Sequence, residues 1–255
     1  MSANVLRGCV AVVTGASSGI GEASSRMLVR QGATVVLVAR RADRLATLAD
    51  EISGMGGDVL SIEADVTQRS EAESAIGRAA SEFGRIDVLI NNAGVMLLGP
   101  ILDAPVEEWE QMVRVNLLGV MYCAKAALPH LLEAADRGPR NVADLVNVSS
   151  VAGRQVRLGS GAYNATKHGV GAFSEALRLE VTQRHLRVSL IEPGAVATEL
   201  ASHNRPEVLE GIRERFGSIQ RLDATDIADA IEYIVTRPRY VAVNEILIRP
   251  TEQQQ

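Results

Sequence analysis

Aromatic residues are scarce in this chain. One Trp, four Tyr and three Phe make up 3% of its 255 residues. A core without rings has to be built from Val, Ile, Leu and Ala, which favours strands layered with helices over an aromatic-rich β-sandwich. Cysteine is nearly absent as well. Cys9 and Cys123 lie far apart, each in an apolar stretch. They are expected to be buried thiols in a reducing compartment, not a disulfide framework or a metal site. The four histidines, His130, His168, His185 and His203, show no ligand spacing, so no metal is expected. No apolar run reaches the roughly 18 residues of a membrane span. The opening Met-Ser-Ala-Asn-Val-Leu-Arg-Gly has no basic start followed by an apolar run, which argues against a secretory signal. Cationic surplus is missing too: Lys+Arg 26 against Asp+Glu 31 leaves a net charge of −5. Nucleic acid as a main partner would need the opposite balance. These absences together predict a cytoplasmic protein whose main partner is neither nucleic acid nor a membrane.

What is present is an alternation of strand-length apolar runs with segments of helical period. Strands are predicted at Val10–Thr14, Thr34–Ala39, Val59–Ile62, Asp87–Asn91, Val142–Val148, Val188–Glu192 and Glu245–Ile248. Helices are predicted at Gly19–Gln31, Arg41–Ser53, Ser70–Phe83, Val106–Ala135, Ala162–Arg184 and Thr225–Thr236. The first of these repeats its apolar residues at Ile20, Ala23, Met27 and Leu28 and closes at Gly32. Apolar runs that do not alternate are strands buried on both faces. Their alternation with helices implies βαβ units, right-handed crossovers and a parallel sheet of about seven strands with helices on both faces. No linker or repeat divides the chain, so residues 1–255 are expected as one doubly wound α/β (Rossmann) domain. The least regular stretch, 195–222, follows a strand end, where such folds bind ligands. The terminal Gln253-Gln254-Gln255 is expected to fray.

Thr14-Gly15-Ala16-Ser17-Ser18-Gly19-Ile20-Gly21 joins the first strand to the first helix. Gly15 permits a tight turn, Gly19 close backbone approach to a pyrophosphate, and Gly21 tight packing of helix on sheet. Ser17, Ser18 and Ile20 sit where helix N-terminal amides meet phosphate. The spacing is a variant of the dinucleotide fingerprint, and a glycine cluster is also compatible with a plain turn. After the second strand, where NAD-binding units carry an acidic residue for the ribose 2′-OH, this chain has Arg40 and Arg41. Two guanidinium groups suit a 2′-phosphate, which points to NADP(H); a solvated helix start is the plainer reading, although cations are disfavoured there.

Tyr163 and Lys167 stand four apart and share a helix face. A nearby ammonium favours the phenolate, and a tyrosine so tuned can exchange a proton with a carbonyl or alcohol oxygen. Ser150, at a strand end, is placed to bond the same oxygen, and Asn116, in the long helix, to anchor a water leading to Lys167. Singly each has a structural alternative: a core-edge tyrosine, a solvated lysine, a strand-end cap.

The ordered set Thr14–Gly21, Asp65, Asn91-Asn92-Ala93-Gly94, Asn116, Ser150, Tyr163/Lys167 and Pro193-Gly194 resembles the short-chain dehydrogenase/reductase family over essentially the whole chain. The resemblance implies a catalytic tetrad of Asn116, Ser150, Tyr163 and Lys167, with Lys167 also binding the nicotinamide ribose. It further implies Asp65 and Val66 at the adenine, Asn92, Ala93 and Gly94 along the cofactor channel, and Pro193, Gly194 and Val196 at the nicotinamide with Thr198 near its carboxamide. Gly94–Pro100 and Glu245–Thr251 are similar to the branch of clavaldehyde dehydrogenases and NADP-dependent 3-hydroxy-acid or serine dehydrogenases. That branch implies NADPH-dependent reduction of an aldehyde or ketone, either small and polar or 3-oxo acid-like. The family also implies a homodimer or homotetramer.

Substrate choice is expected from Val95–Leu98, Val151–Gly161 and the 195–222 segment read as a lid. Arg154 or Arg157 is the candidate for a substrate carboxylate. A catalytically silent NADP(H)-binding sensor is the competing reading. A sugar-nucleotide epimerase would need a larger C-terminal domain.

Overall fold

The computed structural model describes residues 4–254. Seven strands form one parallel sheet: β1 (Val10–Thr14), β2 (Thr34–Ala39), β3 (Val59–Glu63), β4 (Val88–Asn91), β5 (Ala143–Val148), β6 (Leu186–Pro193) and β7 (Glu245–Ile248). Their order is β3-β2-β1-β4-β5-β6-β7, so the direction of winding reverses between β1 and β4. β1, β4, β5 and β6 are buried along their whole length, as strands covered on both faces must be.

The pleat of β1 divides the core. Val10 and Val12 face a cluster built with α3 (Arg69–Phe83), α4 (Val106–Arg137) and α5 (Gly161–Val181). Ala11 and Val13 face a second cluster built with α1 (Gly19–Arg30), α2 (Ala42–Gly54) and α7 (Ala224–Val235). Val, Ile, Leu and Ala make up both apart from Cys123 in the first and Cys9 and Met27 in the second, as the scarcity of rings required.

Four expectations need correction. The 195–222 segment is not irregular throughout. It holds a short 3₁₀ turn at Glu199–His203 and a helix, α6 (Pro206–Phe216), and a bridge between Val196 and Leu222 ties its ends. Pro206 stands in the first turn of this helix, where its missing N–H costs nothing, so it marks the helix start. Gln253 is not frayed: it is buried, and its Oε1 accepts from the Ala195 amide at 2.8 Å. The long helix is not uniform, because Val113–Gly119 runs as a π-helical turn. By length and composition α4 is apolar enough to span a bilayer, contrary to the run-length reading, but Val120, Cys123, Ala124, Ala127 and Leu131 bury its inner face within the fold.

Close approach of α1 to the sheet sets the shape of everything above it. A Cβ at Gly21 would lie 2.4 Å from the Gly15 carbonyl oxygen and 2.5 Å from Asn92 Nδ2. Gly21→Ala is therefore expected to destabilise the protein by about 1–3 kcal/mol, read as a lowered urea midpoint.

Candidate active site

The strands deliver their C-terminal ends to one edge of the sheet, and a cleft of about 650 Å³ opens there. One wall is the turn between β1 and α1. Gly15 and Gly19 adopt positive φ (64° and 55°), a region open to glycine at no steric cost. The turn is clamped from β4. Thr14 Oγ1 accepts from the amides of Asn92 (3.0 Å) and Ala93 (3.2 Å), and Asn92 Nδ2 donates to the carbonyls of Thr14 (3.0 Å) and Gly15 (3.1 Å). Asn92 thus holds the turn as well as lining the channel. Ser18 precedes α1 without capping it through its side chain, so the first-turn amides are left for an anionic ligand.

Arg41 lies across this turn. Its guanidinium donates to Ser17 Oγ (3.1 and 3.0 Å) and Ser18 Oγ (2.7 Å), and pairs with Glu199 at 2.9 Å. Arg40 is exposed at the same end of the cleft. Asp65 and Val66 line the neighbouring wall, the Asp65 carboxylate accepting from the Thr67 amide at 3.0 Å. The glycines that admit no side chain, the free helix amides and the arginines fit an extended ligand with phosphates, including one beyond the second strand.

At the other end stand Ser150, Tyr163 and Lys167. β5 ends just before Ser150, whose Oγ accepts from the Ala152 amide at 3.1 Å and is hydrogen-bonded to Tyr163. Tyr163 and Lys167 project from the first two turns of α5; Lys167 Nζ lies 5.8 Å from the Tyr163 ring centroid and donates to the Val148 carbonyl at 2.9 Å. Asn116 is set back. Its side-chain amide exchanges two 2.8 Å hydrogen bonds with the Val95 backbone and reaches Thr166 Oγ1 at 3.3 Å, inside the π-helical turn.

The electrostatics differ from the expectation. Burial pushes Tyr163 up from 10 to about 12, with the Ser150 hydrogen bond opposing, and pulls Lys167 down from 10.5 to about 8. Both side chains are buried, and desolvation of each charged form sets the direction of its shift. Tyr163 is thus a neutral phenol near pH 7.

Of the sequence-predicted residues, Ser150, Tyr163, Lys167, Gly15, Ser17, Ser18, Gly19, Ile20, Arg40, Arg41, Asp65, Val66, Asn92, Ala93, Gly94, Pro193, Gly194, Val196 and Thr198 line the one cleft. Gly21 and Asn116 stand behind it as supports. Arg157 and His203 reach the cleft. Arg154 does not. It is held by the buried Glu192 (2.8 Å) and by Glu245, so it is not placed to meet a substrate. Sequence reasoning missed Gln253, Glu199 and Arg44 around the cleft. Of the missed contacts, only the charges were visible in the sequence, with nothing in spacing to pair them over such distances.

A family model described as short chain dehydrogenase matches residues 9–209. The chain belongs to the short-chain dehydrogenase family. It is an oxidoreductase of that family by the same match and by its relatives. It is 38% identical over 246 residues to an uncharacterized oxidoreductase of Staphylococcus aureus, covering 96% of this chain and 99% of that protein. It is 41% identical over 249 residues to glycine betaine reductase of Emericella nidulans, covering 97% of this chain but only 19% of that much longer protein. Among solved structures, a closed form of serine dehydrogenase complexed with NADP⁺ superposes with a TM-score of 0.87 at 32% identity, covering 96% of each chain.

The shifts of Tyr163 and Lys167 make opposite contributions to stability. Unfolded chains keep the Lys167 proton up to about 10.5 while the fold sheds it from about 8, so stability rises with pH across that window. The fold holds the Tyr163 proton to about 12 while unfolded chains lose it from 10, so stability falls there. Lys167→Met is expected to raise unfolding free energy at neutral pH by about 1–3 kcal/mol, net of the lost Val148 hydrogen bond. That advantage should shrink between pH 8 and 10.5, as urea titrations at several pH values would show.

Proposed function

We propose that this chain is an NADPH-dependent carbonyl reductase that converts a small aldehyde or ketone to its alcohol. The observation that carries the reading is the convergence of Ser150, Tyr163 and Lys167 on the cleft whose other end carries Arg40 and Arg41. NADPH, when bound, supplies the hydride. The protein supplies position and a proton. Arg41 and Arg40 receive the 2′-phosphate, and the α1 amides receive the pyrophosphate. Pro193, Gly194, Val196 and Thr198 border the nicotinamide end. The solved serine dehydrogenase, which carries NADP⁺, supports this choice of cofactor.

Ser150 and Tyr163 hold the carbonyl oxygen between two hydroxyl donors. Tyr163 gives its proton to that oxygen as the carbonyl carbon is reduced. Lys167 keeps a positive charge beside the ring at neutral pH and steadies the phenolate left behind. Asn116 pins Val95 and shapes the channel by which a relay water reaches Lys167. Because Tyr163 sits high and stays protonated, the site favours reduction near neutrality. Oxidation, which needs the phenolate, gains only at alkaline pH.

Met96, Leu98, Leu200, Val208 and Ile212 make much of the outer cleft apolar, and Arg157 adds a cation to it. The segment 195–222 covers this part as a substrate lid. Its Asn204 donates to the Met96 carbonyl at 2.8 Å and accepts from the Leu98 amide at 2.7 Å. A carbonyl compound with a short carbon chain and a carboxylate, such as a 3-oxo acid, matches these walls.

Three outcomes test the reading by NADPH consumption. Tyr163→Phe should lower kcat by about 10²–10⁴ while leaving the Kd for NADPH within about twofold. The wild-type rate of reduction should decline above about pH 8 as Lys167 loses its proton. Arg157→Met should raise KM for 3-oxo acids by about tenfold or more and change KM for neutral ketones little; equal effects on both would remove the carboxylate from the proposal.

A further inference from the structure

The ion pairs between Glu199 and α2 belong neither to the catalytic group nor to the core. Glu199 follows Thr198 in the short turn after β6. Its two carboxylate oxygens separate onto two arginines: Oε2 on Arg41 at 2.9 Å and Oε1 on Arg44 at 2.7 Å. Arg41 is the residue that also spans Ser17 and Ser18 of the glycine-rich turn. Thr198 brings the same segment against that turn, since a Cβ on Gly19 would stand 3.0 Å from Thr198 Cγ2. The segment beyond β6 therefore crosses the cleft and is fastened on the far side to the arginine that the 2′-phosphate requires.

One cation then faces two anions. We propose that Glu199 is a cofactor-selective latch: its carboxylate holds Arg41 in the free protein, and the 2′-phosphate of NADP(H) takes Arg41 from it. This inference rests on the NADP(H) reading of the cleft. A phosphate monoester carries about −1.5 to −2 near neutral pH and offers three acceptor oxygens, against one charge and two oxygens on the carboxylate. It matches the guanidinium fork at least as well. Glu199 is half exposed, so the pair it gives up is a weak one and the exchange favours the phosphate. Arg44 retains the carboxylate when Arg41 turns to the phosphate, which keeps the released Glu199 from repelling the ligand. NADH brings no such competitor, so the Glu199–Arg41 pair persists in its complex.

Protonation does not work this latch. The two arginines hold Glu199 down at about 2, so its carboxylate is charged throughout the physiological range and only a competing anion displaces it. Glu199 is thus a specificity-determining residue that touches neither the reacting atoms nor the catalytic side chains. It lowers the affinity for NADPH by an amount that NADH binding does not bear.

The test is the ratio of Kd for NADH to Kd for NADPH, measured by isothermal titration at fixed ionic strength for the wild type, Glu199→Gln and Glu199→Asp. Glu199→Gln should raise that ratio about threefold to tenfold by tightening NADPH alone, and Glu199→Asp should return it toward the wild-type value. An unchanged ratio, or weaker NADPH binding in Glu199→Gln, would overturn the latch; the latter would make Glu199 an organiser of Arg41 instead. A wild-type ratio below one would overturn the NADP(H) preference. The change between variants judges the latch separately, so the two failures are distinguishable.

Discussion

The close approach of α1 to the ends of β1 and β4 is the constraint on which the rest of the cleft depends. Gly21 has no room for a methyl between the Gly15 carbonyl and the Asn92 amide. Asn92 and Thr14 then tie the ends of β1 and β4 together with hydrogen bonds of 3.0–3.2 Å. Loosening that contact would move the helix amides, the serines that meet Arg41, and the channel wall at Ala93 and Gly94 as one body. The glycine-rich turn matters as much for packing as for what it binds, and Gly21, which does not line the cleft, is the residue that enforces it.

At the catalytic end burial acts against stability and in favour of chemistry. Tyr163 and Lys167 are both out of water, and each resists its own charged form. A core composed for stability alone would place an apolar chain at Lys167. Here its ammonium is kept by a single carbonyl, that of Val148, at the end of the strand that also positions Ser150. The result is a tyrosine that retains its proton and a lysine that titrates near physiological pH, a pairing suited to donating a proton toward a reduced carbonyl.

The segment after β6 couples the two ends. Thr198 and Glu199 reach the glycine-rich turn and α2, Asn204 reaches the loop after β4, and the Val196–Leu222 bridge closes its base. Gln253 holds the beginning of the same segment by accepting the Ala195 amide, and a Cβ at Gly194 would collide with it at 2.3 Å. Gln253 is in this way part of the cleft wall, and that wall is assembled from several distant parts of the chain.

Much of this was legible in the amino-acid sequence. Short apolar runs without alternation, set between segments of helical period, read as strands covered on both faces, so Val10–Thr14 and its counterparts announced the parallel sheet and its helices. Local motifs survived intact: glycines at a strand–helix turn, and a tyrosine and lysine one helical turn apart, are encoded within a few residues and need little context. Two features stayed hidden because their causes are not local. Arg154 and Arg157 carry equal charge in one loop, and only Glu192 of β6 and Glu245 of β7 decide that Arg154 is drawn away from the cleft that Arg157 lines. The tyrosine's affinity for its proton is likewise no property of the Tyr-x-x-x-Lys spacing, since it follows from how completely the tertiary structure removes water from both groups. Sequence by itself determined the elements and their order, and it named most of the residues that the fold brings to one cleft. Which charges were spent on one another, and how hard each buried group holds its proton, was decided only when distant strands and helices met, because desolvation and pairing are set by neighbours in space.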